Sequence, residues 1–208
     1  MGKISKTIFG IIFSTLFLSL IIAFVNFKTE RRYKVLCKYD LIAQALVRVK
    51  TQIQVTNISS LFVKSEVIRK RTDFIVIHCD AIENQTDYVP AFDIEKYHLS
   101  KGFKHFAYTY YISKAGTIYQ MHNEHEKTNH AGGKINYFSV SVCLQGNFDK
   151  EIFEETQKKQ LVKLLFKLKK QFPNAQIIGH CAVSEKTCPG TNVNLNEINS
   201  IVNYLLTI

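Results

Sequence analysis

Residues 179–190 have the sequence GHCAVSEKTCPG and follow a short apolar run, residues 175–178, that predicts a β-strand. Within this stretch His180 and Cys188 bracket Lys186. Imidazole and thiolate are the ligand types that Zn²⁺ prefers, and a lysine can stabilise a developing negative charge. The stretch therefore predicts part of a metal site at the end of a strand.

A third metal ligand must come from another part of the chain, because two ligands do not make a catalytic zinc site. His78 is the best candidate, since it ends a second apolar run, FIVIH at residues 74–78. Three protein ligands with one open position for water are typical of hydrolytic rather than structural zinc. We therefore predict Zn²⁺ as the cofactor, bound by His78, His180 and Cys188.

The composition is that of one globular domain with an appendage, in a chain of 208 residues. The formal net charge is +10, but the basic residues are spread over the chain or lie beside its apolar N-terminus. No nucleic-acid-binding motif accompanies them, so we predict no nucleic-acid partner and favour another polyanion. The five cysteines are scattered and odd in number, which is not typical of a disulfide framework.

The N-terminus predicts a membrane segment. Residues 7–27 carry no charge and are mostly Ile, Leu, Phe and Val. As a helix they would rise roughly 31 Å, enough to cross the apolar core of a bilayer. We interpret residues 1–27 as an uncleaved transmembrane signal anchor, with a cleaved signal peptide as the alternative.

The remaining chain predicts a linker or stalk, residues 28–67, and one α/β domain, residues 68–208. The linker could equally be an N-terminal embellishment of that domain. Strands that alternate with helices predict a central mixed β-sheet flanked by helices. The predicted strands are residues 74–78, 106–112, 117–121, 140–144 and 176–178, and the predicted helices are residues 92–99, 156–171 and 194–206.

Several blocks occur in the order found in one enzyme family. They are the strand that ends in His78, YTYYISKAGTIYQ at residues 108–120, HAGG at residues 130–133, the strand 139–144, and residues 180–190. In this order they resemble the zinc N-acetylmuramoyl-L-alanine amidases, meaning the phage lysozyme-type amidases and the related peptidoglycan recognition proteins. The resemblance covers roughly residues 72 to 206, and the late block is its most specific part.

The resemblance implies a role for each matching residue. His78, His180 and Cys188 match the family's zinc ligands. Tyr108 and Lys186 match the two polar residues that face the metal-bound water and the scissile amide. Two further matches, His130 and Asn136, are implied to line the cleft and bind substrate. The chain departs from the family pattern at residues 139–141, which read SVS where a glycine usually follows Ser-Ile, and in a loop before Ser139 that is one residue longer.

The implied activity is hydrolysis of the amide bond between N-acetylmuramic acid and the L-alanine of the peptidoglycan stem peptide. The implied partners are peptidoglycan and its muropeptides, and we expect a monomer. The alternative is a non-catalytic peptidoglycan-binding module on the same fold; some relatives that bind without cutting lack the cysteine, so Cys188 favours catalysis. A structural-zinc domain with another partner is a second alternative.

The implied substrate bears on membrane orientation. More basic residues follow the apolar segment than precede it, so the positive-inside rule predicts a cytoplasmic domain. Polymeric peptidoglycan lies outside the cytoplasm. We therefore expect a single-pass protein whose catalytic domain is on the extracytoplasmic side, against that rule.

Other chemically capable side chains are expected to play no part at the metal. Cys79 and Cys181 each adjoin a ligand histidine, and strand neighbours point to opposite faces. Glu185 is expected at the surface. The remaining histidines are expected to be structural or at the surface: His98, His105, His122 and His125.

Overall fold

The computed structural model describes residues 53–62, 64–83 and 91–208. These residues belong to one compact unit, Thr51–Ile208. The predicted membrane segment, residues 7–27, and most of the predicted linker lie outside the described residues. Within the described ranges no helix is long and apolar enough to cross a membrane.

Six strands form one mixed sheet, and all but one of the neighbouring pairs are parallel. The order across the sheet is β1-β4-β3-β5-β2-β6, and only β3 and β4 run antiparallel. This confirms the predicted α/β domain with a central mixed sheet. The strands are β1 (Val55–Asn57), β2 (Phe74–Cys79), β3 (Tyr110–Ile112), β4 (Ile118–Gln120), β5 (Ser139–Leu144) and β6 (Gln176–Gly179).

Helices cover both faces of this sheet. They are α1 (Ala91–Ser100), α2 (Glu155–Gln171) and α3 (Leu195–Thr207). On one face, Ile94 of α1 packs in an apolar cluster with Tyr111 and Cys143. On the other, α2 contacts β3 and α3 contacts β6. The leucines at i, i+3, i+4 and i+7 that predicted α2 are fully buried, as an amphipathic helix requires: Leu161, Leu164, Leu165 and Leu168.

The buried side of α1 differs from the expected one. The helical spacing of Phe92, Ile94, Tyr97 and Leu99 predicts one shared apolar side, but the side chains of Tyr97 and Leu99 are 60% and 44% exposed. Ile94 and His98 are buried instead. Residues four apart lie on one face of a helix, and here that face carries a histidine among the apolar residues.

The sheet begins earlier in the chain than the predicted domain boundary near Val67. Strand β1 lies within residues 28–67 and pairs with β4 at the edge of the sheet, and the N–H of Ile58 donates to the carbonyl of Gln120 (3.0 Å). Phe62 then packs into the core cluster. This part of the predicted linker is thus an embellishment of the domain, the alternative that the sequence had left open.

Strands β5, β2 and β6 determine where the functional site forms. They are neighbours and parallel, so their carboxyl ends meet at one edge of the sheet. Ile77 of β2 pairs with Gly179 of β6. His78 and His180, which follow these residues, therefore lie side by side at that edge, where open α/β sheets usually bind their ligands.

Candidate active site

The three predicted metal ligands come together at the carboxyl edge of the sheet. The ring centroids of His78 and His180 are 4.4 Å apart. Their candidate ligand nitrogens and the Sγ of Cys188 all lie within 4.8 Å of one another. His78 is almost fully buried, whereas His180 and Cys188 are partly exposed, so the cluster is open on one side.

Cys188 reaches the histidines through a loop that folds back on β6. The N–H of Cys181 donates to the carbonyl of Cys188 (2.7 Å), which fixes the backbone at the ligand. The N–H of Cys79 donates to the Sγ of Cys188 (3.3 Å), and this Sγ lies 3.8 Å from Nδ1 of His78. A backbone N–H aimed at the sulfur stabilises a thiolate there.

These atoms fit a zinc ion. Tetrahedral zinc with Zn–N bonds of about 2.1 Å and Zn–S bonds of about 2.3 Å has neighbouring ligand atoms roughly 3.4–3.6 Å apart. The 3.8 Å between Cys188 Sγ and His78 Nδ1 is close to that spacing. Two imidazoles and one thiolate are ligands that favour zinc over magnesium or calcium.

The electrostatics of the cluster keep its histidines neutral, the form that binds a metal. Burial, followed by the nearby His130, His180 and Lys186, holds the pKa of His78 well below its usual value. Burial and then Lys186 lower the pKa of His180. A hydrogen bond with the Cys79 thiol and burial raise the pKa of Cys188, but a bound divalent cation deprotonates a coordinating thiol.

A cleft with a volume of about 500 Å³ adjoins the cluster. Its lining includes His180 and Lys186 on the metal side and the segment Lys101–Phe103 after helix α1. The loop 129–132 and Asn136 complete it. The exposed ammonium group of Lys186 is thus close to the ligands and accessible from the cleft.

Tyr108 lies against the metal cluster but is not among the residues that line the cleft. Its ring centroid is 5.1 Å from that of His78, and its side chain also packs against the core cluster. Burial raises the pKa of Tyr108 well above its usual value, so the hydroxyl stays protonated.

His130 and Asn136, predicted to bind substrate, both line the cleft and also have partners inside the protein. Nδ1 of His130 is 2.9 Å from Nε2 of His78, and its Nε2 is 2.9 Å from Oγ of Ser139. Oδ1 of Asn136 accepts hydrogen bonds from the N–H groups of His130 (3.1 Å) and Ala131 (2.9 Å). This oxygen therefore holds the backbone of the loop, and its two hydrogen bonds are made within the protein.

The side chains expected to be bystanders take structural or surface positions. Cys181 and Glu185 are exposed. His122 is buried and bonds to Glu126 (3.1 Å) and to the carbonyl of Phe106 (2.9 Å). His98 and His105 are also buried, and His125 is at the surface.

Sequence reasoning missed Asp149 and Ser139. Asp149 receives the hydroxyl of Thr187 and the N–H of Thr191, the residues on either side of the Cys188 segment. No sequence pattern gives Ser139 a functional role. Asp149 belongs to no local motif, since it is 38 residues from Thr187, and the partners of Ser139 depend on the shape of the loop before it.

Comparisons with known proteins agree with this geometry. The sequence profile of a family described as N-acetylmuramoyl-L-alanine amidase matches residues 69–191, more than half of the chain. An endolysin of Klebsiella phage KP32 is 31% identical over 126 residues, which are 58% of this chain and 82% of the endolysin.

Solved structures share the fold. The N-acetylmuramoyl-L-alanine amidase LysC from Clostridium intestinale URNW superposes with a TM-score of 0.63 at 26% identity, over 72% of this chain and 97% of that one. Drosophila peptidoglycan recognition protein SD gives a TM-score of 0.61 at 19% identity, over 70% of this chain and 93% of that one, and shows the fold alone. On the profile match and the endolysin relative, the chain belongs to the N-acetylmuramoyl-L-alanine amidase family.

Proposed function

We propose that this protein is a zinc-dependent peptidoglycan hydrolase that cleaves the amide bond between N-acetylmuramic acid and the L-alanine of the stem peptide. The observation that carries the proposal is the convergence of His78, His180 and Cys188 beside an open cleft, in a chain of the amidase family. Three ligands of this kind with an open side suit a catalytic rather than a structural metal.

His78 and His180 would hold the ion through neutral imidazoles and Cys188 through its thiolate. Zinc at such a site lowers the pKa of a bound water to about 7 and polarises a carbonyl group. The chain contributes an ordered pocket for this chemistry, since both histidines are fixed by the ends of paired strands.

Lys186 would stabilise the negative charge that develops on the carbonyl oxygen of the scissile amide. Lys186 lines the cleft. Its positive charge contributes to lowering the pKa of His78 and of His180, and so helps to keep both histidines neutral. A preorganised cation near the reacting oxygen stabilises the transition state more than the substrate.

Tyr108 would act as a hydrogen-bond donor to the water or to the carbonyl, because its raised pKa keeps the proton on the hydroxyl. Its contact with His78 supports this role.

The glycan and peptide of a muropeptide would lie in the cleft along the loop 129–132. Asn136 would support binding by holding the backbone of this loop, and His130 would form part of the wall. We propose that one chain carries the complete site, because every residue named above lies in one compact unit.

Release of free stem peptide from purified muropeptides tests the proposal. The purified chain, residues 1–208, should release the peptide with zinc, lose this activity on chelation, and regain it when zinc is restored. Cys188→Ser should bind less zinc and release much less peptide. A chain that binds zinc and muropeptides but releases no peptide would be a recognition module rather than an enzyme.

We further propose that residues 7–27 anchor the protein as a single-pass membrane protein with the catalytic domain outside the cytoplasm. The uncharged apolar sequence and the location of polymeric peptidoglycan support this orientation. A topology reporter fused after Ile208 tests it. A cytoplasmic signal would contradict it and point to imported muropeptide fragments as the substrate.

A further inference from the structure

The loop that carries His130 connects a metal ligand to the protein interior through a chain of directed hydrogen bonds. The side chains in this chain are His78, His130 and Ser139, all buried. The direction of each bond follows from the donors and acceptors available. It has consequences for which nitrogen of His78 can bind a metal.

The direction begins at Ser139, the first residue of β5. Its hydroxyl donates to the carbonyl of Ile135 (2.6 Å), which uses its single proton. The Oγ can then only accept from Nε2 of His130, 2.9 Å away. His130 therefore carries its proton on Nε2, and its Nδ1 has a free lone pair.

The next link reaches the metal cluster. Nδ1 of His130 lies 2.9 Å from Nε2 of His78, so His78 must donate through an Nε2–H. A neutral imidazole has one protonated nitrogen, and Nδ1 of His78 is thus left as the lone-pair nitrogen. That nitrogen is the one 3.8 Å from the sulfur of Cys188.

Hydrogen bonds to the loop backbone hold His130 in this position. Oδ1 of Asn136 accepts the N–H groups of His130 and Ala131. A short 3-10 helix, Ile135–Tyr137, presents the carbonyl that orients Ser139. The backbone of His130 and the hydroxyl of Ser139 are therefore both held in place.

We propose that His130 is a positioning residue that fixes the tautomer and ring orientation of His78 so that Nδ1 faces the metal. This rests on the proposed zinc site and gives His130 a role beyond lining the substrate cleft. Partners of this kind tune metal affinity without touching the metal.

Zinc affinity, measured on the purified chain without substrate by competition with a chromophoric chelator, tests the proposal. His130→Leu removes both ring nitrogens. His130→Asn retains an acceptor near the Nδ1 position, whereas His130→Gln offers its polar group nearer the Nε2 position. The proposal predicts that the Leu and Gln variants lose about 10- to 100-fold in zinc affinity. The Asn variant should retain most of the wild-type affinity.

A second readout separates positioning from a general packing effect. In the cobalt-substituted protein the visible absorption bands report the ligand field, and they should shift in His130→Leu but stay near the wild-type position in His130→Asn. Ser139→Ala removes the next acceptor along the chain and should give a smaller loss of affinity in the same direction.

Two outcomes would overturn the proposal: wild-type zinc affinity in His130→Leu, or the same loss in the Leu, Gln and Asn variants. The proposed function fails separately, if the wild-type chain binds zinc but releases no stem peptide. The affinity order of the His130 variants can hold in that case, because its measurement needs no substrate.

Discussion

Oδ1 of Asp149 accepts a 2.8 Å hydrogen bond from the backbone N–H of Thr191. The other carboxylate oxygen of Asp149 accepts the hydroxyl of Thr187. These two partners flank Cys188, the proposed thiol ligand, so one surface carboxylate holds both ends of the proposed ligand segment, residues 187–191. Both hydrogen bonds hold the pKa of Asp149 below its usual value, so it is ionised near neutral pH.

Asp149→Ala should therefore weaken zinc binding without removing a ligand. We expect a loss of several-fold, below the 10- to 100-fold typical of direct partners of a ligand, because Asp149 acts through the backbone. Asp149→Asn keeps an acceptor for Thr191 and should lose less. Glu185→Ala changes an exposed carboxylate in the same segment and is the matched control. Equal affinity of Asp149→Ala and Glu185→Ala for zinc would contradict the role given to Asp149.

Lys186→Ala should separate metal binding from catalysis. The ammonium group lines the cleft and is assigned to the carbonyl oxygen, so its removal should lower kcat about 10²- to 10³-fold, the effect of losing one oxyanion donor. Zinc content should stay at the wild-type level, because Lys186 is not a ligand. Lys186→Arg keeps the charge and should be less impaired. Full activity in the alanine variant would contradict the role given to Lys186 at the carbonyl oxygen.

The clustering of the two candidate histidine ligands could be predicted from the sequence because each lies at or just after the end of a recognisable strand. His78 closes an apolar strand and His180 follows another, and parallel strands bring such ends together. The apolar stripe of α2 was predictable for a similar reason, since its periodicity is local. Strand β1 was not, because it is three residues long, lies at the sheet edge and has two exposed residues.

The supporting residues could not be predicted from local patterns. Asp149 and Ser139 act on segments that are distant in sequence or shaped by a loop. For Asn136 the sequence suggested substrate binding, and only the structure shows that its Oδ1 is used by the loop backbone. Hydrogen bonds of single polar side chains, whether to a nearby loop or to a distant segment, leave no periodic signal in a chain.

Gly190 provides a stability test of the ligand segment. Its φ is +112°, and a Cβ at this position would lie 2.5 Å from the carbonyl carbon of Phe148. Gly190→Ala should lower the free energy of unfolding by at least about 1–3 kcal/mol from backbone strain, with the clash adding to this. The measurement is urea unfolding of the metal-free chain.

Gly102→Ala is the matched control for Gly190. Gly102 also has a positive φ, +82°, but a Cβ there would have no neighbour within 4 Å. Gly102→Ala should therefore lower the free energy of unfolding only by the cost of backbone strain, without a steric clash. A loss of stability in Gly190→Ala no larger than in Gly102→Ala would mean that the backbone near Phe148 moves aside at little cost.

His98 should make the stability of the domain depend on pH. The ring is buried against Phe103 and Phe106, and its Nδ1 accepts the N–H of Ala107 (3.3 Å). Burial, with a smaller contribution from His105, lowers the pKa of His98 from 6.5 to about 4. Between these values the unfolded chain binds the proton and the folded chain does not. The free energy of unfolding must therefore fall as the pH falls through this window.

The size of this change in the free energy of unfolding follows from the pKa shift of His98. Between about pH 7 and about pH 4.5, His98 should contribute a loss of about 2–3 kcal/mol. His98→Asn retains an acceptor for Ala107 but does not titrate, so its unfolding free energy should be lower at neutral pH and fall less steeply on acidification. His125→Asn, at an exposed histidine, should keep the wild-type slope. Identical slopes for wild type and His98→Asn in the metal-free chain would show that His98 is already protonated in the folded state.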